Sequence, residues 1–137
     1  MQRLVLDTNV LVSALLFHGP PAVLARLVIE GEVTSLTSST LLAELPRVLL
    51  SKFQYPPSMA DLVIAEWSAI SEHVEPSVEL AVVAQDPSDN RVLECALSAH
   101  ATGIISGDKH LLALNAFHGM PILAPQAFLA QWPHKPR

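Results

Sequence analysis

Four carboxylates, with a fifth beside them, are spaced to serve one cleft. Asp7 interrupts LVLDTNVLVSALL, a stretch that otherwise reads as core. Asp108 follows a second apolar run, GIIS. Each therefore stands at the carboxyl end of a predicted strand, where open parallel sheets bind their ligands. Glu44 borders the apolar stripe of a predicted helix, and Asp86 and Asp89 share the first turn of another, DPSDNRVLECALSAHA. Three or four carboxylates brought together repel one another and are stable only when cations neutralise them. A set of carboxylates with no Cys and no assigned His suits hard ions that keep several waters, Mg²⁺ or Mn²⁺. Two such ions ~4 Å apart can activate a water and stabilise the leaving oxygen of a phosphodiester.

Each acid also has a purely structural explanation. Asp7 and Asp108 could cap the helices that follow them. Asp86 fits an N-cap, with Pro87 at the first helical position and Asp89 at the third, reaching back to the cap. Glu44 could pair with Arg47 at i,i+3, for about 0.2–0.5 kcal/mol. Arg91 and Lys109 lie close to Asp89 and Asp108, either as phosphate contacts or as solvated charge. His110 is either a phosphate or metal contact or helix surface. Cys95 reads as core, and Arg3, Lys52, Lys135 and Arg137 read as ordinary surface.

The elements that must position these residues follow from periodicity and punctuation. Residues 3–6 form a short apolar strand of the kind buried on both faces. Residues 9–17 continue as a helix, HGPP breaks it, and Pro20–Pro21 open a helix over roughly 21–30 that Gly31 ends. Residues 32–38 alternate and are β-branched, which predicts a strand. Ser38, Ser39 and Thr40 are candidate caps for a helix whose Leu41, Leu45, Val48 and Leu49 share a face. Pro46 should kink or split that helix. QYPPS (54–58) reads as a loop, 59–72 as an amphipathic helix and 73–76 as a short strand, while SVELAVVAQ is ambiguous. A capped helix over 86–101, a strand at 102–106, a short helix at 108–114, a strand at 120–124 and a helix at 125–132 complete the chain. Strands alternating with helices predict an α/β fold with a parallel sheet.

The 137 residues suggest one domain, assigned to 1–132 with a tail at 133–137. Half of them are hydrophobic, and the mean hydropathy is +0.38. That excludes a disordered polar chain and suggests apolar surface covered by a partner or a second copy. The single cysteine rules out an internal disulfide and fits a reducing compartment. No apolar run reaches the ~18 residues of a membrane span, and the N-terminus lacks the pattern of a secretory signal. The chain therefore reads as soluble and cytoplasmic. A net charge of −5 argues against wrapping nucleic acid by bulk positive charge. It leaves open a nucleic-acid enzyme whose acids hold cations, because the bound ions reverse the local field.

Taken in order, LDTNVLVSAL, LLAELPRVL, DPSDNRVLECAL, IISGDKHLL and ILAPQAFL resemble the PIN-domain ribonucleases. The branch most resembled is the VapC-like toxins of toxin–antitoxin pairs, and the likeness runs from residue 3 to about 131. It implies a three-layer α/β/α fold around a parallel sheet of about five strands, with one or two Mg²⁺ or Mn²⁺ ions. It places the family's four acids, as catalytic and metal-binding residues, on Asp7, Glu44, Asp89 and Asp108. Thr8 and Asn9 match the polar pair after the first acid, Ser106 the supporting hydroxyl before the fourth, and Asp86 an extra acid of this branch. The implied activity is endonucleolytic hydrolysis of RNA by metal-activated water, leaving 5′-phosphate and 3′-hydroxyl ends. The implied partners are RNA, an antitoxin protein and a second copy of the chain, with residues 21–30 and 59–70 as candidate partner surface or core.

Two readings compete. A PIN-like binding module would sequester RNA or a partner protein without turnover. A phosphatase would form an aspartyl-phosphate on Asp7, but such enzymes usually need a second acid two residues on, where this chain has Asn9.

Overall fold

Leu4, Val5 and Leu6 are all buried in the first strand, β1 (Arg3–Leu6), as a continuous apolar run requires when both faces of a sheet are covered. The computed structural model describes residues 1–133. The expected tail lies beyond them save for Pro133, and so do Lys135 and Arg137. β1 pairs in parallel with β2 (Thr34–Thr37) on one side and β4 (Gly103–Ile105) on the other. β3 (Glu72–His73) joins β2, and β6 (Met120–Leu123) joins β4, both in parallel. These are the five parallel strands expected.

A sixth, β5 (Ala116–Phe117), pairs antiparallel with β6 at the sheet edge, giving the order β3-β2-β1-β4-β6-β5. It was not foreseen. Its turn is His118–Gly119, both at positive φ (50° and 81°), the geometry of a tight hairpin without the usual Asn–Gly signal.

Alternation along the strands divides the interior in two. Leu4, Leu6 and Ile105 face a core built with α1 (Thr8–Leu16), α2 (Pro20–Ile29), α3 (Ser39–Lys52), α4 (Pro57–Ile70) and α7 (Pro125–Ala130). Val5, Leu36, Ile104 and Ile122 face the other, with α5 (Pro87–Ala99) and α6 (Lys109–Leu112). This is the three-layer α/β/α arrangement. Among the described residues, no single helix is long and apolar enough to cross a membrane.

Three local expectations need correction. Pro46 does not split its helix, and α3 runs unbroken from Ser39 to Lys52. The disruption at Pro46, about 3 kcal/mol, is offset by Leu41, Leu45 and Leu49, whose burial stabilises by about 1.5–3 kcal/mol each. α4 begins at Pro57 rather than 59, with proline in its first turn, where no N–H is needed. Arg3 is not simple surface, because its guanidinium grips both Glu72 oxygens (2.9 and 2.8 Å) and donates to the Ala99 carbonyl (3.1 Å).

The ambiguous segment 77–85 is neither helix nor strand. Its backbone is satisfied by side chains of the helix that follows. Asn90 Oδ1 accepts from the Val82 and Val83 amides (2.8 and 2.9 Å), and its Nδ2 donates to the Val83 carbonyl (2.9 Å). Glu94 accepts from the Leu80 amide (2.8 Å), and Arg91 donates to the Leu80 carbonyl (3.2 Å). Periodicity could not decide the segment because its pairing is not with another strand.

Candidate metal centre

The chain leaves β1 toward β2 and β3 on one side of the sheet and returns as β4 and β6 on the other. The carboxyl ends of β1 and β4 thus form a topological switch point, the place where α/β sheets bind ligands. The register Leu6↔Ile105 brings the residues just past both strands side by side. There Ser106, fully buried, donates from Oγ to Asp7 Oδ2 (2.8 Å) and accepts from the Asp108 amide (2.9 Å). One hydroxyl fixes the first acid and the loop carrying the last.

The capping explanation fails for Asp7. It occupies the N-cap of α1, yet its buried carboxylate makes no capping bond there. Asp108 does cap α6, accepting from the His110 and Leu111 amides (2.8 and 3.2 Å), and faces the other acids as well. Asp86 caps α5, with Oδ1 accepting from the Ser88 amide (3.1 Å) and hydroxyl (2.6 Å). Asp89 does not reach back to that cap. It is 3% exposed, and its Oδ2 is buried with no hydrogen-bond partner. Glu44 is half-buried on α3, and no Glu44–Arg47 ion pair forms among the described residues.

Carboxylate oxygens of Asp86, Asp89 and Asp108 lie within 4.8 Å of one another. The charge of Asp7 acts on Asp89 in this group, and the charge of Glu44 acts in turn on Asp7. The five acids are thus linked in a chain of charges, with Glu44 at its end through Asp7, and the tight trio contains Asp86, to which the resemblance gave only a supporting place.

Their protonation reflects the crowding. Burial pushes Asp89 up to about 8, aided by its hydrogen bond to Asp108 and by the charges of Asp108, Asp86 and Asp7. Burial also raises Asp7, against the hydrogen bonds from Ser106 and Thr8 and with the charges of Glu44 and Asp108. Burial works upward on Asp108 too. The Leu111 and His110 amides, the Asp89 carboxyl and the His110 charge nevertheless hold it below the usual carboxylate range. Without a cation, the crowding therefore favours the protonated form of Asp89 and the ionised form of Asp108. A hard divalent cation fits the same place. The donors are all oxygens, and the unpartnered Asp89 oxygen needs the charge partner that a cation provides.

Thr8, next to Asp7 in the chain, is buried, and Asn9 is exposed. Lys109 is exposed beside Asp108. Arg91 points elsewhere than a phosphate contact would require, because its guanidinium is committed to Glu94 (2.7 Å) and the Leu80 carbonyl. Two contributors were not read from the sequence. Ser88 locks the Asp86 carboxylate, and buried Asn90 pins the segment that delivers it. A polar residue directly after Asp89, inside a helix, was the available signal for Asn90.

Comparison with known proteins agrees with this fold. A sequence profile described as the PIN domain matches residues 3–110. No curated protein matches the chain. The crystal structure of VapBC2 from Rickettsia felis, bound to a DNA fragment from their promoter, is similar with a TM-score of 0.61 at 15% identity. That match covers 88% of this chain and 97% of that one. PAE2754 from Pyrobaculum aerophilum is similar with a TM-score of 0.64 at 14% identity, covering 98% and 91%. At such identities the structural likeness concerns the fold alone.

Proposed function

Because this chain belongs to the PIN-domain family, we propose that it is a Mg²⁺- or Mn²⁺-dependent endoribonuclease acting as the toxin of a toxin–antitoxin pair. The observation that carries the reading is the convergence of five acids from four parts of the chain toward the β1/β4 switch point, one with a buried, unpartnered oxygen. Divalent cations bound there would lower the pKa of a water and offset the charge developing on a phosphodiester. The chain's own part is positioning. Ser106 orients Asp7 and the Asp108 loop, Ser88 orients Asp86, and α3 and α5 present Glu44 and Asp89 from rigid helices. No side chain is required as nucleophile.

The test is incubation of the protein with total RNA and Mn²⁺ or Mg²⁺, wild type beside Asp7→Asn, with the new ends mapped. Cleavage leaving 5′-phosphate and 3′-hydroxyl ends, lost in Asp7→Asn and in EDTA, is expected. Cleavage that persists in EDTA, or that yields 2′,3′-cyclic phosphates, contradicts it. RNA binding without turnover in the wild type would favour the sequestering module.

The antitoxin belongs to the same reading. A groove of about 570 Å³ runs between α1, α2 and α4, walled by Leu15, Ile29 and Ile70, with Arg26 and Glu66 also lining it. Trp67 forms part of its floor. An apolar helix from an antitoxin would cover this surface. Ile70 is 42% exposed, so Ile70→Asp should leave the fold intact and abolish co-purification with the product of an adjoining small gene. Undiminished co-purification would remove the groove from the account. A second copy of the chain has a separate candidate surface in Leu50, Phe53, Met59 and Leu62, all exposed at the α3–α4 turn. A monomer in sedimentation at micromolar concentration would contradict the homodimer.

A further inference from the structure

A second groove begins at the edge of the acidic centre. It encloses about 440 Å³ and includes Asp108 in its wall but none of the other four acids. Lys109, Asn9 and Ser13 also line it, with Pro21 and Pro125 as rigid apolar sides. A polyanion that approaches five carboxylates needs positive charge close by. Cations held by the acids would supply it at the scissile phosphodiester, but not one nucleotide away, on the Asp108 side of the site.

The chain has few cations to offer there. Arg3 is held by Glu72, and Arg91 is held by Glu94. Lys109 makes no ion pair among the described residues, is exposed, and is the basic residue in the wall of this groove. We propose that this groove is the subsite for the nucleotide adjoining the scissile bond, with Lys109 on its phosphate and Asn9 on its base or ribose edge. The inference rests on the nuclease reading above and names its substrate class as single-stranded nucleic acid. The volume lies in the ~300–1,000 Å³ range of pockets for small ligands. That suffices for one nucleotide seated between the proline walls, a position that a base paired in a duplex cannot take. An ammonium on a flexible stem is a suitable point charge for a phosphate, and an exposed amide both donates and accepts toward a base edge or a 2′-hydroxyl.

The test measures cleavage and fluorescence-anisotropy binding of a single-stranded RNA 12-mer and of the same sequence as a duplex. Wild type, Lys109→Ala, Lys109→Arg and Asn9→Ala are compared over a salt series. Lys109→Ala should raise KM about fivefold, with the loss carried by KM rather than kcat. It should flatten the salt dependence by about 0.7 in log K per log salt, the share of one phosphate contact on a single strand. Lys109→Arg should restore most of the affinity, Asn9→Ala should weaken it, and the duplex should bind poorly to all. Unchanged KM and salt slope in Lys109→Ala, or equal binding of the duplex, would overturn the subsite while a cleaving wild type left the nuclease reading standing. A wild type that binds the 12-mer with a Lys109-dependent salt slope but never cleaves it would do the reverse.

Discussion

Asp89→Asn should raise the melting temperature of the metal-free protein at pH 8 and reduce RNA cleavage by at least about 10²-fold. The two effects have one cause. Asp89 is nearly inaccessible, its Oδ2 has no partner, and the charges of Asp7, Asp86 and Asp108 surround it. As an anion without a cation it destabilises the fold, and as a neutral amide it does not. Its pKa is displaced upward to about 8. Between about pH 4 and pH 8 the folded chain therefore holds a proton that the unfolded chain has released, and stability falls as pH rises through that window. Below pH 4 the carboxyl is neutral in both states, and the stability advantage of Asp89→Asn should vanish. Thermal melts in EDTA from pH 4 to pH 8, alongside the cleavage assay, check both halves. A variant that melts lower than wild type at pH 8, or one that still cleaves, contradicts this assignment.

The second large effect concerns metal affinity. A cation entering the cluster must displace the proton that the raised Asp89 carboxyl favours, so binding should release about one proton near neutral pH. Apparent Mn²⁺ affinity should then rise about tenfold per pH unit up to roughly pH 8 and level off above it. The melting-temperature gain from added Mn²⁺ should accordingly be larger at pH 8 than at pH 6. Calorimetry in buffers of different ionisation enthalpy reads the proton directly. An affinity independent of pH between 6 and 8 would mean that no acid of the cluster carries the proton.

How much of this was legible in the sequence depends on where each residue gets its partners. β1 and β4 were readable because a buried parallel strand is a continuous apolar run, and Asp7 and Asp108 stood out as the acids that end such runs. Cys95 was readable as core for the same local reason, and it is fully buried. Glu44 lay on the border of a stripe, and only the folded position of α3 shows its charge acting on Asp7. Asp86 had a sufficient local explanation in its cap, which it also makes. Its place beside Asp89 and Asp108 depends on the path of residues 77–85, which the side chains of Asn90, Arg91 and Glu94 decide. Arg91 looked available beside Asp89 because its ion pair with Glu94 and its bond to Leu80 depend on that same path. The β5 hairpin was hidden by a turn of His and Gly that carries no strong local signal. Contacts within a run of residues were legible, and those made by side chains across the fold were not.

The central claim is that the five acids form a cation site. A crystal grown with Mn²⁺ and measured for anomalous scattering tests this without assuming any substrate. The account predicts an anomalous peak at the carboxyl ends of β1 and β4, coordinated by the Asp89 oxygen that now lacks a partner and by oxygens of Asp108 and Asp86 or Asp7. The same crystal of Asp89→Asn should lose the peak or show it strongly weakened. A wild-type map with no peak at this cluster, measured near pH 8 at millimolar Mn²⁺, would contradict the claim.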